Sequence, residues 1–327
     1  MLKISVRKFE VLSFITFNYT PHLYYCKKKI MLYFPAMNAK LISFVSSFGL
    51  LLTAAIWGFG FVVVKDSLDY VGAFYLVALR YTLASVVMAV IIAKRWKKFN
   101  CSYLKHGILT GCFLGLGYIS QTVGCAFTTA GKNAFLTTIY VILIPFFTWI
   151  FFHHRPRTHV FIAAIMSVTG IGLLALGTGD TAGVNKGDIF TLICGIFYAL
   201  HIIFTERFNA KGDDTLLLTN VQFIVATLLA WSTAWLYDGK FDASILADSR
   251  IMISVIYLGL FATMICFCLQ NIGLKYVKSS LASLFLSFES VFGVLFSTIF
   301  LHESLTPRML TGCILIFAAV VLAERKE

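Results

Sequence analysis

The sequence predicts an all-α polytopic membrane protein, and three observations carry that prediction. The composition is 59% hydrophobic and 13% charged, where a soluble domain is nearer half apolar and a quarter charged. Ten apolar runs punctuate the chain, each close to the ~20 residues that a bilayer core demands of a helix. The second five runs also echo the first five. Backbone groups in lipid must pair internally, and runs this long exceed a barrel strand, so helix is the expected structure. A disordered chain, a disulfide-stapled miniprotein and a cytosolic enzyme are excluded on composition alone.

The runs follow in order, separated by short polar breaks. The first, 44–64, closes at Lys65-Asp66, and the second, 72–93, closes at Lys94-Arg95-Trp96-Lys97-Lys98. The third, 107–126, and the fourth, 131–151, are joined by Phe127-Thr128-Thr129-Ala130. Pro145, which has no amide proton, is expected to kink the fourth run. A basic stretch from His153 to His159 leads into the fifth run, 159–177. The sixth run is 187–205, and Gly212-Asp213-Asp214 precedes the seventh, 216–236. The eighth, ninth and tenth cover 251–272, 280–300 and 308–324.

Orientation follows from Lys and Arg, which favour cytoplasmic loops. With the N-terminus inside, the inside segments hold 20 of these residues and the outside loops six; without the leader the count is still 13 to six. Both termini are therefore expected in the cytoplasm. The same bias explains the formal charge of +12, and no basic helix or aromatic-basic ribbon points to nucleic acid. The eight cysteines form no Cys-x-x-Cys pair and have no His at metal spacing. All eight are expected to be small buried apolar residues.

Residues 119–157 lie without gaps on 268–306 at an offset of 149, with six identities in 39 positions. They include Gln121 with Gln270, Gly124 with Gly273, and His153 with His302. The matched pieces fall at equivalent places in each five-run half. Five is odd, so the second half enters the membrane from the opposite side, as in the inverted repeats of many secondary transporters.

A family resemblance rests on motifs spread through both halves. The first run carries Ala54-Ala55-Ile56-Trp57-Gly58-Phe59-Gly60-Phe61, and the second carries Ala78-Leu79-Arg80. Thr129-Ala130-Gly131-Lys132, Leu136-Thr137-Thr138-Ile139-Tyr140 and Pro145 complete the first half. The second half has Val277-Lys278-Ser279-Ser280-Leu281-Ala282-Ser283, Phe288-Glu289-Ser290-Val291-Phe292-Gly293 and Leu301-His302-Glu303-Ser304-Leu305-Thr306, with Gly312 in the last run. In order and spacing these resemble EamA-type transporters of the drug/metabolite transporter superfamily over residues ~44–325. The resemblance implies ten transmembrane helices arranged as two inverted five-helix repeats, usually exporting small metabolites. It sets a leader at 1–43, a first EamA-like repeat at 44–178 and a second at 186–325. Two departures stand out. His154 occupies the first-half place of Glu303, where the family often has Glu. Residues 1–36 have no counterpart, read poorly as a signal peptide, and precede Met37, which looks like a natural cytoplasmic start.

An ionisable group at bilayer depth is a functional candidate by default. Two charges sit well inside predicted runs, Arg80 and Glu289. Glu289 suits a proton acceptor, a cation ligand or a partner of Arg80; its repeat counterpart is Tyr140. Arg80 suits an anionic substrate group, or ties helices together through backbone carbonyls. The uncharged candidates are Trp57, Tyr118, Gln121, Tyr198, His201, Gln222 and Gln270. A lone His on an apolar face is often merely hydrogen-bonded, and the same structural alternative stands beside every member of this set.

No phosphate loop, nucleophile elbow or zinc-protease motif is present, so no cofactor, metal or catalytic residue is expected. The leading expectation is a secondary transporter of the plasma membrane. It exports an amino-acid-like metabolite or drug-like compound by alternating access, with protons as a candidate coupling ion, as a monomer or homodimer in the lipid bilayer. An integral-membrane enzyme acting on a lipid is the alternative, with the His-rich segment 153–159 its nearest candidate site. A channel is disfavoured because no filter segment is recognisable.

Overall fold

The computed structural model describes residues 39–153, 155–175, 184–277, 279–304 and 306–323. The expectations for residues 1–36 and for His154 lie outside those residues. Among the described residues each predicted run falls largely on helix. The first three helices are α1 Ala39–Ser67, α2 Ala73–Ile91 and α3 Cys101–Phe127. The fourth run is divided into α4 Ala130–Thr137 and α5 Ile139–Phe152, and α6 is Thr158–Ala175. Then come α7 Lys186–Ala210 and α8 Thr215–Tyr237. The eighth run comprises α9 Ser249–Ile256, a π-helical stretch Tyr257–Ile265, and α10 Cys266–Tyr276. The chain closes with α11 Ser279–Phe300 and α12 Pro307–Ala323.

Seven of these rods are long and apolar enough to cross a bilayer. Shorter apolar stretches, Thr158–Gly170, Phe285–Phe300 and Leu310–Leu322, mark α6, α11 and α12. The protein is thus an all-helical, multi-pass membrane protein among its described residues. Large apolar side chains face outward, among them Phe44, Val90, Val168, Leu228 and Trp235. On a water-soluble protein such a surface would aggregate, but against lipid it is the favourable arrangement.

Polar caps set the helix ends. The Asn100 side chain accepts from the amides of Ser102 and Tyr103 at the start of α3. Asn185 and Asp188 form a reciprocal capping box on α7, and Asp214 caps α8. Each satisfies amides that the first turn leaves unpaired. The fourth run breaks at Thr138, whose hydroxyl and amide both turn back to the Phe135 carbonyl. The helix then continues through Pro145. The interruption thus lies at Thr138, seven residues before Pro145, which sits inside α5.

Lipid tails supply no hydrophobic drive between helices, so close contact depends on small residues. A Cβ on Gly58 of α1 would lie 2.4 Å from Phe292 Cβ of α11. A Cβ on Gly111 of α3 would lie 2.7 Å from Val225 of α8. The main partnerships are α1 with α11 and α10, α3 with α7 and α8, and α2 with α8 and the π stretch. In addition α7 packs on α4 and α5, α4 on α11, and α6 on α12.

The cysteines depart in part from expectation. Cys125, Cys194, Cys266 and Cys313 are buried, whereas Cys112 and Cys268 are half-buried and Cys101 is exposed. Cys101 is the first residue of α3, before that helix enters the packed interior. All seven described cysteines are free thiols.

Candidate functional site

Helices from both halves enclose a half-open cavity of about 640 Å³, counting its mouth. Nine of the ten residues singled out in the sequence line it: Trp57, Arg80, Tyr118, Gln121, Tyr140, Tyr198, His201, Gln270 and Glu289. Gln222 does not. It is fully buried behind the wall, where its Nε2 donates to the hydroxyls of Thr110 and Thr205.

The aromatic side of the cavity is a cluster of rings held by helix packing. Trp57 and Phe267 have ring centroids 5.4 Å apart, Tyr118 and Tyr198 also 5.4 Å, and Tyr118 and Phe267 5.9 Å. Trp57 Nε1 donates to the Ala262 carbonyl at 2.7 Å, inside the π stretch. The widened π turn (i→i+5) supplies unusual partners there. Thr263 Oγ1 donates five residues back to the Leu258 carbonyl and accepts from Arg80 Nε at 2.9 Å. The π-helix is rare and its usual single-turn form is frequent at functional sites; here it extends over nine residues.

Arg80 is almost fully buried. Its guanidinium carbon lies 4.5 Å from the centre of the Tyr118 ring, a cation–π contact. The ion pairs among the described residues do not include Arg80 with Glu289. Of the alternatives open for Arg80, the structure shows contacts to a threonine hydroxyl and a ring rather than to backbone carbonyls. Glu289 is 4% exposed, interacts with Tyr140, and leaves Oε1 without a protein partner.

A hydrogen-bonded chain runs through the polar side of the wall, and its proton order can be assigned. Thr137 Oγ1 donates to the Asn133 carbonyl, so it must accept from Gln121 Nε2. Gln121 Oε1 then accepts from the Tyr198 hydroxyl at 3.1 Å. Thr191 Oγ1 likewise donates to the Gly187 carbonyl and accepts from Asn133 Nδ2, which fixes that amide. Asn133 Oδ1 is left buried without a partner, as is Gln270 Oε1. An unsatisfied buried acceptor costs roughly 1–3 kcal/mol, so several lining one cavity are an expense that folding alone does not explain. Gln222 spends its Nε2 on two hydroxyls, so His201 Nε2 is the donor to Gln222 Oε1 and Nδ1 keeps the lone pair.

Sequence reasoning missed Asn133, although an amide two residues inside the fourth run is as conspicuous as Gln121. It also missed a buried ion pair, Lys132 Nζ to Asp188 Oδ2 at 2.7 Å, with side chains 2% and 3% exposed. Interior charge is therefore not confined to Arg80 and Glu289. Both residues lie at the ends of predicted runs, where water contact was the natural expectation. Nearby, Lys65 Nζ donates to the carbonyls of Cys125 and Thr128 at the end of α3. Glu303 accepts from the amides of Ala130 and Gly131 at the start of α4. Each charge thus meets the helix end of opposite partial charge.

At the other end of the bundle, Arg95 and Lys98 pair with Asp214 at 2.8 and 3.2 Å. Burial there pushes the Asp214 carboxyl up, but the hydrogen bonds from Lys98 and Arg95 outweigh it and hold the group below the usual carboxylate range. Among the described residues no group of three or more His, Cys, Asp or Glu could hold a metal.

This membrane fold around an aromatic and polar cavity defines a transporter. The EamA-like transporter family model matches residues 45–176 and 185–324, and the chain belongs to that family, within the drug/metabolite transporter superfamily. A relative from Archaeoglobus fulgidus named "Uncharacterized transporter" is 31% identical over 276 residues, covering 84% of each chain. The "Uncharacterized transporter YoaV" of Bacillus subtilis is 22% identical and covers 84% of this chain and 94% of its own. A solved crystal structure matches with a TM-score of 0.63 at 17% identity, over 85% of this chain and 96% of that one, a likeness of fold.

Proposed function

We propose that the chain is a secondary active exporter of a small metabolite, amino-acid-like or drug-like. It has ten membrane spans in two inverted five-helix repeats and works by alternating access. Both termini are cytoplasmic in this reading.

The observation that carries it is the pattern of helix packing, which maps onto itself when the halves are exchanged. The α1–α11 contact is answered by α7 with α4 and α5. The α3–α7 contact is answered by the α9–α10 rod with α1, and α3–α8 by the π stretch with α2. The α2–α8 and α6–α12 contacts map onto themselves. Three residue pairs at the offset of 149 line the one cavity: Tyr118 with Phe267, Gln121 with Gln270, and Tyr140 with Glu289. Among the described residues only two non-glycines have left-handed backbones, His153 at φ 59° and His302 at φ 54°, again 149 apart. Such residues are uncommon, so their recurrence at one register supports duplication. A site between inverted repeats can be exposed to either side as one repeat rocks against the other.

The test is counterflow of labelled solute in proteoliposomes holding the full chain. Saturable uptake accelerated by unlabelled solute on the far side is expected. Linear, unaccelerated flux would replace the carrier with a channel, and a chemically altered solute would replace it with an enzyme.

A further inference from the structure

The segment joining α2 to α3 is a 3₁₀ helix, Ala93–Lys98, of sequence Ala-Lys-Arg-Trp-Lys-Lys. Residues three apart eclipse one another in such a helix, and that register sorts the segment into rows. Arg95 and Lys98 share one row, and both pair with Asp214, at 2.8 and 3.2 Å. Trp96 and Phe99 share the second, with ring centroids 5.4 Å apart. Lys94 and Lys97 share the third; both are exposed, and no acid among the described residues pairs with either. These two lysines stand directly beside the apolar belt. Val90 and Ile91, at the end of α2, are 72% and 68% exposed, and Leu104 near the start of α3 is 45% exposed.

The charge of the segment is largely uncompensated. Four cations fall within the five residues 94–98, and Asp214 is the acid that pairs with them. The neighbouring Asp213 is taken by His106 at 2.6 Å. Folding does not require this charge. A second 3₁₀ helix, Ala243–Ala247, follows α8 as the first follows α2, and its sequence Ala-Ser-Ile-Leu-Ala holds no cation. Lys94 and Ala243 are 149 apart, the offset at which the two halves align. The same turn therefore forms in the same place without lysine.

From this register and this excess of charge we infer that Lys94 and Lys97 form a docking site for the headgroup phosphate of an anionic phospholipid in the adjoining leaflet. Two ammonium groups in one row offer N–H donors and no acceptors, which suits phosphate oxygens. Trp96 stands at a span end, where membrane interfaces favour its ring. A lysine beside a membrane surface raises affinity for anionic lipid roughly fivefold, so the pair selects such a lipid over a zwitterionic one. The bound phosphate also reduces repulsion within the turn, which leaves Arg95 and Lys98 more firmly on Asp214. Arg95 and Lys98 belong to the first half of the chain and Asp214 to the second, so the lipid is linked to a contact between the halves.

The experiment titrates phosphatidylglycerol into the purified full chain in a neutral detergent and counts bound lipid by native mass spectrometry, with phosphatidylcholine of the same acyl chains in parallel. The wild type is expected to prefer phosphatidylglycerol. Lys94→Gln combined with Lys97→Gln should weaken that lipid by about twenty-five-fold, fivefold for each lysine, and leave phosphatidylcholine unchanged. Both side chains are exposed, so neither change disturbs packing. Lys94→Arg with Lys97→Arg keeps the charge and should keep the preference. Lys186→Gln with Lys240→Gln removes the same charge from the opposite end of the bundle, also at exposed positions, and should leave the preference intact. Melting temperature in nanodiscs is the second readout: phosphatidylglycerol should raise it in the wild type, and less in the Lys94/Lys97 glutamine variant. Equal affinity of that variant and the wild type for phosphatidylglycerol would overturn the inference and leave these lysines as an insertion signal. An equal loss in the Lys186/Lys240 variant would also overturn it, by assigning the attraction to net charge. So would displacement of the lipid by an equal concentration of inorganic phosphate, which would make the ligand a soluble anion.

Discussion

At the scale of single residues, the Lys132–Asp188 pair is a buried ion pair whose loss carries a large cost. Both side chains are nearly water-free, and Asp188 also accepts from the Thr128 hydroxyl and the Asn185 amide. Removing one member of a buried pair leaves an uncompensated charge, at about 3–5 kcal/mol. Asp188→Asn should therefore lower the melting temperature in detergent sharply. Adding Lys132→Met should recover much of the loss, because the double variant buries no lone charge. If the single and double variants melt together, the pair is not what holds this end of the bundle. The sequence displayed Arg80 and Glu289 plainly, since a charge in the middle of an apolar run has one reading. It concealed Lys132 and Asp188, because a charge at the edge of a run can as well reach water, and only the approach of α4 to α7 decides. For the same reason nine of ten candidate residues could be picked as polar or aromatic islands in apolar runs, while Gln222 could not be told from them. Its amide faces Thr110 and Thr205 instead of the cavity, and that depends on helix rotation.

At the scale of helices, hydrophobic run length located the long apolar helices among the described residues, but the irregularities inside two of them were not legible. The break at Thr138 comes from a hydroxyl competing for a main-chain carbonyl, and the π stretch from widened turns over Tyr257–Ile265, within which Thr263 Oγ1 donates to the Leu258 carbonyl. Neither changes the apolar pattern that hydropathy reads. Helix approach is better encoded, in glycine. Gly58 meets the Phe292–Gly293 backbone, so Gly58→Ala should force α1 from α11 and cost about 1–3 kcal/mol as overpacking. Gly172, with nothing within 4 Å of an added Cβ, is the matched control and should tolerate alanine. Thermal melting of the two variants side by side measures the difference, and equal melting would show that α1 yields freely. The cap of α8 makes a prediction about pH. Its Asp214 carboxyl is held below the usual range in the folded protein, so its stabilisation is present above the unfolded value near ~3.9. It is lost as pH falls through the lower folded value. Asp214→Asn should thus depress the melting temperature at pH 7, and the gap to the wild type should close on acidification below about pH 4. A gap independent of pH would assign the effect to the lost cap geometry instead of the carboxylate charge.

At the scale of the whole molecule, the two ends of the bundle are built alike. At one end the segment after α2 reaches the start of α8, where Arg95 and Lys98 grip Asp214. At the other end the segment after α8 reaches the start of α2, where Asp238 accepts from the amides of Phe74 and Tyr75. Exchange of the halves relates these two contacts, so the fold by itself does not say which end faces the cytoplasm. Charge breaks the tie. The end with Arg95 and Lys98 is strongly basic, while the end with Asp238 carries a single Lys and a single Arg over 237–250, and positive loops stay inside. The prediction is that Ser102 lies in the cytoplasm and Ser244 outside. Both positions are exposed, so both are open to reagent. The native Cys101 is exposed too and adjoins Ser102, so the labelling background must lack native cysteines. In that background, Ser244→Cys should react with an impermeant maleimide in intact cells, and Ser102→Cys only after the cells are opened. Labelling at position 102 but not 244 in intact cells would invert the molecule, placing the Lys132–Asp188 pair at the cytoplasmic end and both termini outside.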